Sequence, residues 1–97
     1  MFIVRLTYRV PVEQIDSQME AHRAWVEQGF ADGIFVASGP LIPRDGGVIL
    51  AHGINRTALE RLLASDPFAL HGMATADVIE MHVRATDPRL DFLKSQA

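Results

Sequence analysis

Leu63-Ala64-Ser65-Asp66-Pro67-Phe68 decides how the chain is divided, because it closes a helix, fixes a carboxylate at the stop and turns a large aromatic side chain inward. Pro67 disfavours α geometry at Asp66 and cannot extend the preceding helix. Asp66 is therefore expected at a chain reversal, held where a carboxylate can orient a partner. Upstream, Leu59, Leu62 and Leu63 supply the buried side of that helix. Asn55 and Thr57 compete for its N-cap, and Glu60 follows Thr57 at the capping-box spacing. Downstream, Ala76 to Val83 reads as a strand, with Ile79, Met81 and Val83 on one face and Val78, Glu80 and His82 on the other.

The N-terminal half has the same grammar. Phe2 to Arg9 alternates, placing Phe2, Val4, Leu6 and Tyr8 on one face of a strand and Ile3, Arg5, Thr7 and Arg9 on the other. Pro11 ends it. Val12, Ile15, Met19, His22 and Val26 then recur at steps of three and four, which predicts one helical face with His22 inside the apolar stripe. That helix is expected to close around Gly29 to Gly33. Ile34 to Ala37 forms a short apolar strand, broken by Ser38-Gly39-Pro40. Pro43-Arg44-Asp45-Gly46-Gly47 is the strongest turn cluster, and Val48 to Ala51 completes an antiparallel hairpin. Asp87-Pro88 opens a short tail helix carrying Leu90, Phe92 and Leu93.

The order is β-α-β-β-α-β, an α+β ferredoxin-like split pair with both helices on one face of an antiparallel sheet. The other face is left bare. Ile3 and Val48-Ile49-Leu50 are apolar beyond what two helices can cover, so a homodimer through the sheet face is expected.

With 97 residues the chain is expected to be a single domain with one modest core. A formal charge of −3 offers no basic stripe for phosphates, which argues against nucleic acid as a partner. An RNA-recognition module on this strand order needs exposed aromatics on its central strands, and Val48 to Ala51 has none. The absence of cysteine rules out disulfides, thiolate metal sites and cysteine nucleophiles, and it fits a reducing cytoplasm. No signal peptide or bilayer-spanning run is present, so a cytoplasmic protein without a membrane partner is expected.

Among residues that carry chemistry, His22 is the one imidazole in a helical stripe, and Asp66 is its natural partner. An imidazole changes protonation near neutral pH and suits acid-base work. Ser38, beside Gly39 and Pro40, puts a hydroxyl and bare amides at a strand end where a substrate oxygen can bind. No Gly-x-Ser-x-Gly elbow supports it as a nucleophile. Phe68 reads as a core plug that can also line a pocket, and His71 lies close enough to that turn to join it. Arg5 and Arg9 can clamp an anion or sit at a sheet edge. His52, His71 and His82 lack any paired-ligand spacing, so no metal is expected, and Gly46-Gly47 leads into a strand without a lysine, so no phosphate loop is present.

His22, Gly33, Ser38-Gly39-Pro40, Asp66-Pro67-Phe68 and Gly72, in this order over a βαββαβ frame, resemble the YciI family, the YCII-related domain. The resemblance covers nearly the whole chain. It implies a dimeric α+β barrel, similar in architecture to muconolactone isomerase and the small antibiotic-biosynthesis monooxygenases, with a pocket between helices and sheet. It also implies a His and Asp pair as the active site, which falls on His22 and Asp66, and a relative in the family acts as a dehydrochlorinase of a chlorinated trihydroxybenzene. The expected function is cofactor-independent proton transfer, of lyase or isomerase type, on a small cyclic or aromatic molecule. The alternative is a ligand-binding or structural dimer with a filled, dry interior around His22. Two departures from the family bear on the pocket: a short loop around Asp45-Gly46-Gly47 and a tail after Val83 of a kind that varies.

Overall fold

The computed structural model describes residues 1–95. The alternation of the first strand, β1 (Phe2–Tyr8), builds the centre of a four-stranded antiparallel sheet. Its neighbours are β3 (Gly46–Ala51) and β4 (Ala74–Glu80), and β2 (Phe35–Pro40) lies outside β3, giving the order β2-β3-β1-β4. Phe2, Val4 and Leu6 are buried with Ile49, Ala51 and Phe35 on one face. Trp25 and Val26 of α2 (Met19–Ala31) and Leu59 and Leu63 of α3 (Arg56–Ala64) pack against that same face. The fold is the α+β ferredoxin-like arrangement the residue pattern predicts.

The first helical stripe is not one helix. Its apolar spacing continues, but α1 (Val12–Ser17) stops at Gln18, whose φ of −114° and ψ of 8° leave the helical range before α2 begins. Ser17 Oγ donates to the Gln14 carbonyl at 2.5 Å, a local bond that competes with the helical ladder. Ile15 then packs into a second cluster with Phe68 and Ala74, while His22 is carried on the following helix. That helix ends as expected, with Gly33 at a φ of +74°, where a side chain would be strained.

Three strand and cap expectations are corrected. Ser38-Gly39-Pro40 does not break β2. Gly39 and Pro40 pair with Val48 and Gly47, and proline is tolerated because β2 is the sheet edge. The last strand begins earlier and stops at Glu80, which faces Phe2, with one further pair of backbone hydrogen bonds between Met1 and Met81. Met81 and Val83 thus fall beyond the strand, and Ile79, opposite Ile3, is 57% exposed. Asn55 wins the α3 cap, its side chain accepting from Ala58 N at 2.8 Å, so the Thr57–Glu60 capping box is not used.

Pro67 begins a short helix, α4 (Pro67–Leu70), that the residue pattern did not indicate. Asp87 caps a final 3₁₀ helix, Pro88–Leu93, as its sequence indicates. The side chain of Arg89 and its N–H both bond the Asp87 carboxylate, holding its pKa below the usual range. Among the described residues no helix is long and apolar enough to cross a membrane. Ile3, Val48 and Leu50 lie half-buried on the face away from the helices.

Candidate active site

The site begins with an extra residue in β2. Phe35 pairs with Ala51 and Ala37 with Leu50, so two steps on β2 match one on β3. Such a bulge shifts the side-chain alternation by one position. Without it Ala37 would share the helix-facing side with Phe35. With it, Ser38 opposes the buried Ile49 and turns toward α2, and Pro40 follows opposite Gly47.

Beneath α2 lies a cavity of about 410 Å³, within the range of small-molecule sites. Leu6, Met19, Val26, Ile49 and Phe68 give it apolar walls. His22, Ser38, Tyr8, Asp16 and Arg44 supply polar groups. The interior beside His22 is therefore open, in contrast to the filled interior that a purely structural histidine predicts.

His22 Nδ1 lies 2.7 Å from Asp66 Oδ1. Asp66 is 1% exposed, and the same Oδ1 accepts the Phe68 N–H at 3.1 Å, because Asp66 is also the N-cap of α4. A carboxylate accepting at Nδ1 makes that nitrogen the N–H donor and leaves Nε2 with a free lone pair. The ring is fixed by stacking as well: Phe68 lies at 4.0 Å between centroids and 9° from parallel, and Trp25 at 5.8 Å and 29°. Trp25 is itself held, its Nε1 donating to Ser65 Oγ at 3.0 Å.

Arg44 comes from the loop between β2 and β3. Its Nη2 donates to Asp16 Oδ1 at 2.7 Å, joining that loop to α1. The Arg44 pKa is raised above its ordinary value, first by the bond to Asp16 and then by hydrogen bonding with Tyr8.

His22, Asp66, Ser38, Gly39, Pro40 and Phe68 are brought together, all but Asp66 lining the cavity and Asp66 lying behind His22. His71 is not among them. It caps the C-terminal end of α4 and is exposed, which corrects its assignment to the pocket: the short helix begun at Pro67 carries the chain away before His71 is reached. Arg5 and Arg9 are also elsewhere, Arg5 near Asp45 at 3.6 Å and Arg9 Nε donating to Thr75 Oγ1 at 3.1 Å. Tyr8, Asp16 and Arg44 were not singled out from the sequence. Tyr8 was legible in principle, since it shares the inward phase of Phe2, Val4 and Leu6. Arg44 had no local signal, because a turn residue meets the cavity only through the fold. Among the described residues no group of three or more His, Asp or Glu side chains is placed to hold a metal ion.

This is the class of small α+β ferredoxin-like proteins that carry a partly buried His–Asp hydrogen bond beside a cavity. The model of the YCII-related domain matches residues 1–82, and the chain belongs to that family. No curated protein matches it significantly. Among solved structures it is similar to 5-chloro-2-hydroxyhydroquinone dehydrochlorinase from Burkholderia phenoliruptrix, determined in complex with 2,5-dihydroxybenzoquinone. The TM-score is 0.71 at 18% identity, over 82% of this chain and 91% of that one. At that identity the likeness carries the fold.

Proposed function

We propose that this protein is a cofactor-independent acid-base enzyme of lyase or isomerase type, acting on a small cyclic or aromatic substrate. The observation that carries the reading is His22 at the cavity wall with Nδ1 tied to the buried Asp66 at 2.7 Å. Asp66 fixes the tautomer and balances the imidazolium that forms when Nε2 takes a proton. Met19 and Val26 offer apolar walls to a ring, Phe68 backs the His22 imidazole, and Ser38 with the Gly39 backbone offers hydrogen bonds to ring oxygens. The dehydrochlorinase of similar fold acts on a hydroxylated, chlorinated ring, and a chemistry of that kind fits the cavity's size and lining.

We take the chain to be one cytoplasmic domain that pairs with a second copy through the sheet face carrying Ile3, Val48, Leu50 and Ile79. A non-catalytic role has one observation in its favour, that Asp66 Oδ1 also accepts the Phe68 N–H and so serves the local fold. The open cavity beside His22 favours the enzyme.

A screen of hydroxylated and chlorinated rings, followed by ultraviolet absorbance and chloride release, tests the proposal with His22→Gln as the control. Conversion by the parent and not by the variant supports it. Equal conversion by both removes His22 from the chemistry.

A further inference from the structure

Besides His22 and Ser38, the cavity carries Arg23 and Glu27 from α2 and a separate polar cluster, Tyr8 with Arg44 and Asp16. That group is built from three elements. Tyr8 N donates to Asp45 O at 2.9 Å, tying the β2–β3 loop to the end of β1 beside Arg44. Arg44 Nη2 donates to Asp16 Oδ1 at 2.7 Å, tying the same side chain to α1. The guanidinium is thus oriented before any ligand arrives.

Orientation leaves donors over. A guanidinium presents five N–H groups in a planar fork, and Asp16 engages it through one nitrogen. Asp16 is 57% exposed and the Arg44 side chain 36%, so water screens both charges, and the carboxylate that opposes an incoming anion more than the guanidinium that attracts it. Tyr8 adds a phenolic O–H on the same cavity wall. The Tyr8 ring meets Phe68 edge-on at 6.2 Å, and Phe68 stacks on His22 at 4.0 Å, so phenol and imidazole are packed against the same buried ring.

We propose that Arg44 and Tyr8 form an oxyanion-binding pair, and that the cavity takes rings bearing an ionised or ionisable oxygen, phenolates and enolates. The inference rests on the cavity being the acid-base site described above. When a ring hydroxyl or an acidic ring C–H gives its proton to His22 Nε2, the electron pair left behind delocalises onto a ring oxygen. Arg44 and Tyr8 hydrogen-bond that oxygen, while Asp66 faces the imidazolium. The proton and the charge are both accounted for, and no further reactant enters. A phosphate would ask for several donors at once; a fork shared with Asp16, in a cavity that also carries the carboxylate of Glu27, suits a single oxygen on a flat ring.

The test uses para-nitrophenol, whose phenolate absorbs visibly, and para-nitroanisole, which has the same ring and no ionisable oxygen. Both are titrated against the parent, Arg44→Gln and Tyr8→Phe, each checked for fold by circular dichroism. The pair predicts that bound para-nitrophenol ionises at lower pH than it does free in solution. It also predicts that each variant weakens phenolate binding about tenfold or more, the scale of a lost charge-assisted bond, with para-nitroanisole unaffected. Equal binding of both probes by the parent and Arg44→Gln, without a shift in ionisation, overturns the oxyanion pair and leaves the cavity as a ligand site. Binding of neither probe contradicts the pair and the ligand-binding reading together.

Discussion

The rings of His22 and Phe68 lie stacked, 4.0 Å between centroids and 9° from parallel, and one oxygen of Asp66 holds them both. Asp66 Oδ1 meets His22 Nδ1 at 2.7 Å and the Phe68 N–H at 3.1 Å. The side chain and the backbone positioned by that oxygen come from elements far apart in sequence, so it couples the cap of α4 to the orientation of an imidazole on α2.

Asp66→Asn is expected to keep the fold and lose the preference for the proton on Nδ1. An amide oxygen is a weaker acceptor than a carboxylate, and an amide N–H in its place would favour the other tautomer. The ¹⁵N shifts of the His22 ring report this directly. The parent is expected to show Nδ1 protonated in its neutral form and the variant a mixture or the reverse. The stability cost is expected at about 1.5–3 kcal/mol, the usual contribution of a hydrogen bond to a charged group.

The core of α3 is centred on Leu59 and Leu63, which are 0% and 6% exposed, whereas Leu62 is only half-buried. Leu59→Ala is expected to cost about 2–5 kcal/mol in chemical denaturation, and Leu62→Ala less. An equal or reversed order would show that the helix is rotated.

Two glycines are demanded by close approach. A Cβ on Gly46 would meet the main-chain oxygen of Leu6 within the β1–β3 pairing, and one on Gly29 would enter the buried ring of Phe35. Backbone gives way less readily than a side chain. Gly29→Ala is expected to cost about 1–3 kcal/mol by overpacking, and Gly46→Ala more, read as a larger fall in denaturation midpoint.

The uncovered sheet face is expected to join two copies. Sedimentation at micromolar concentration is expected to give a dimer, and Leu50→Glu, which places a charge on the half-buried face away from the helices, a monomer. A monomeric parent would remove the sheet face as an interface.

Much of this architecture could be read from alternation and caps, because Phe2-Val4-Leu6 and the leucines of α3 each report their own burial locally. What was missed depends on pairing. The bulge at Val36 that turns Ser38 toward the cavity is a property of two strands together, as is the survival of Pro40 in β2 at a sheet edge. His22 and Asp66 stood out because one interrupts an apolar stripe and the other precedes a proline. Arg44 and Asp16 carry no such mark, and their meeting at 2.7 Å joins residues from a loop and a helix that no local pattern relates. His71 shows the reverse error: closeness in sequence to Phe68 placed it near the cavity, and the turn of α4 takes it away.

The central claim is that His22, held by Asp66, moves a proton in the cavity. The most direct measurement is turnover of a ring substrate found by screening, compared among the parent, His22→Gln and Asp66→Asn at matched folded fraction. Proton transfer through this pair predicts a fall of about 10²–10⁴ for His22→Gln, with Asp66→Asn also reduced. Variants that turn over the substrate as fast as the parent, whatever their stability, would contradict it.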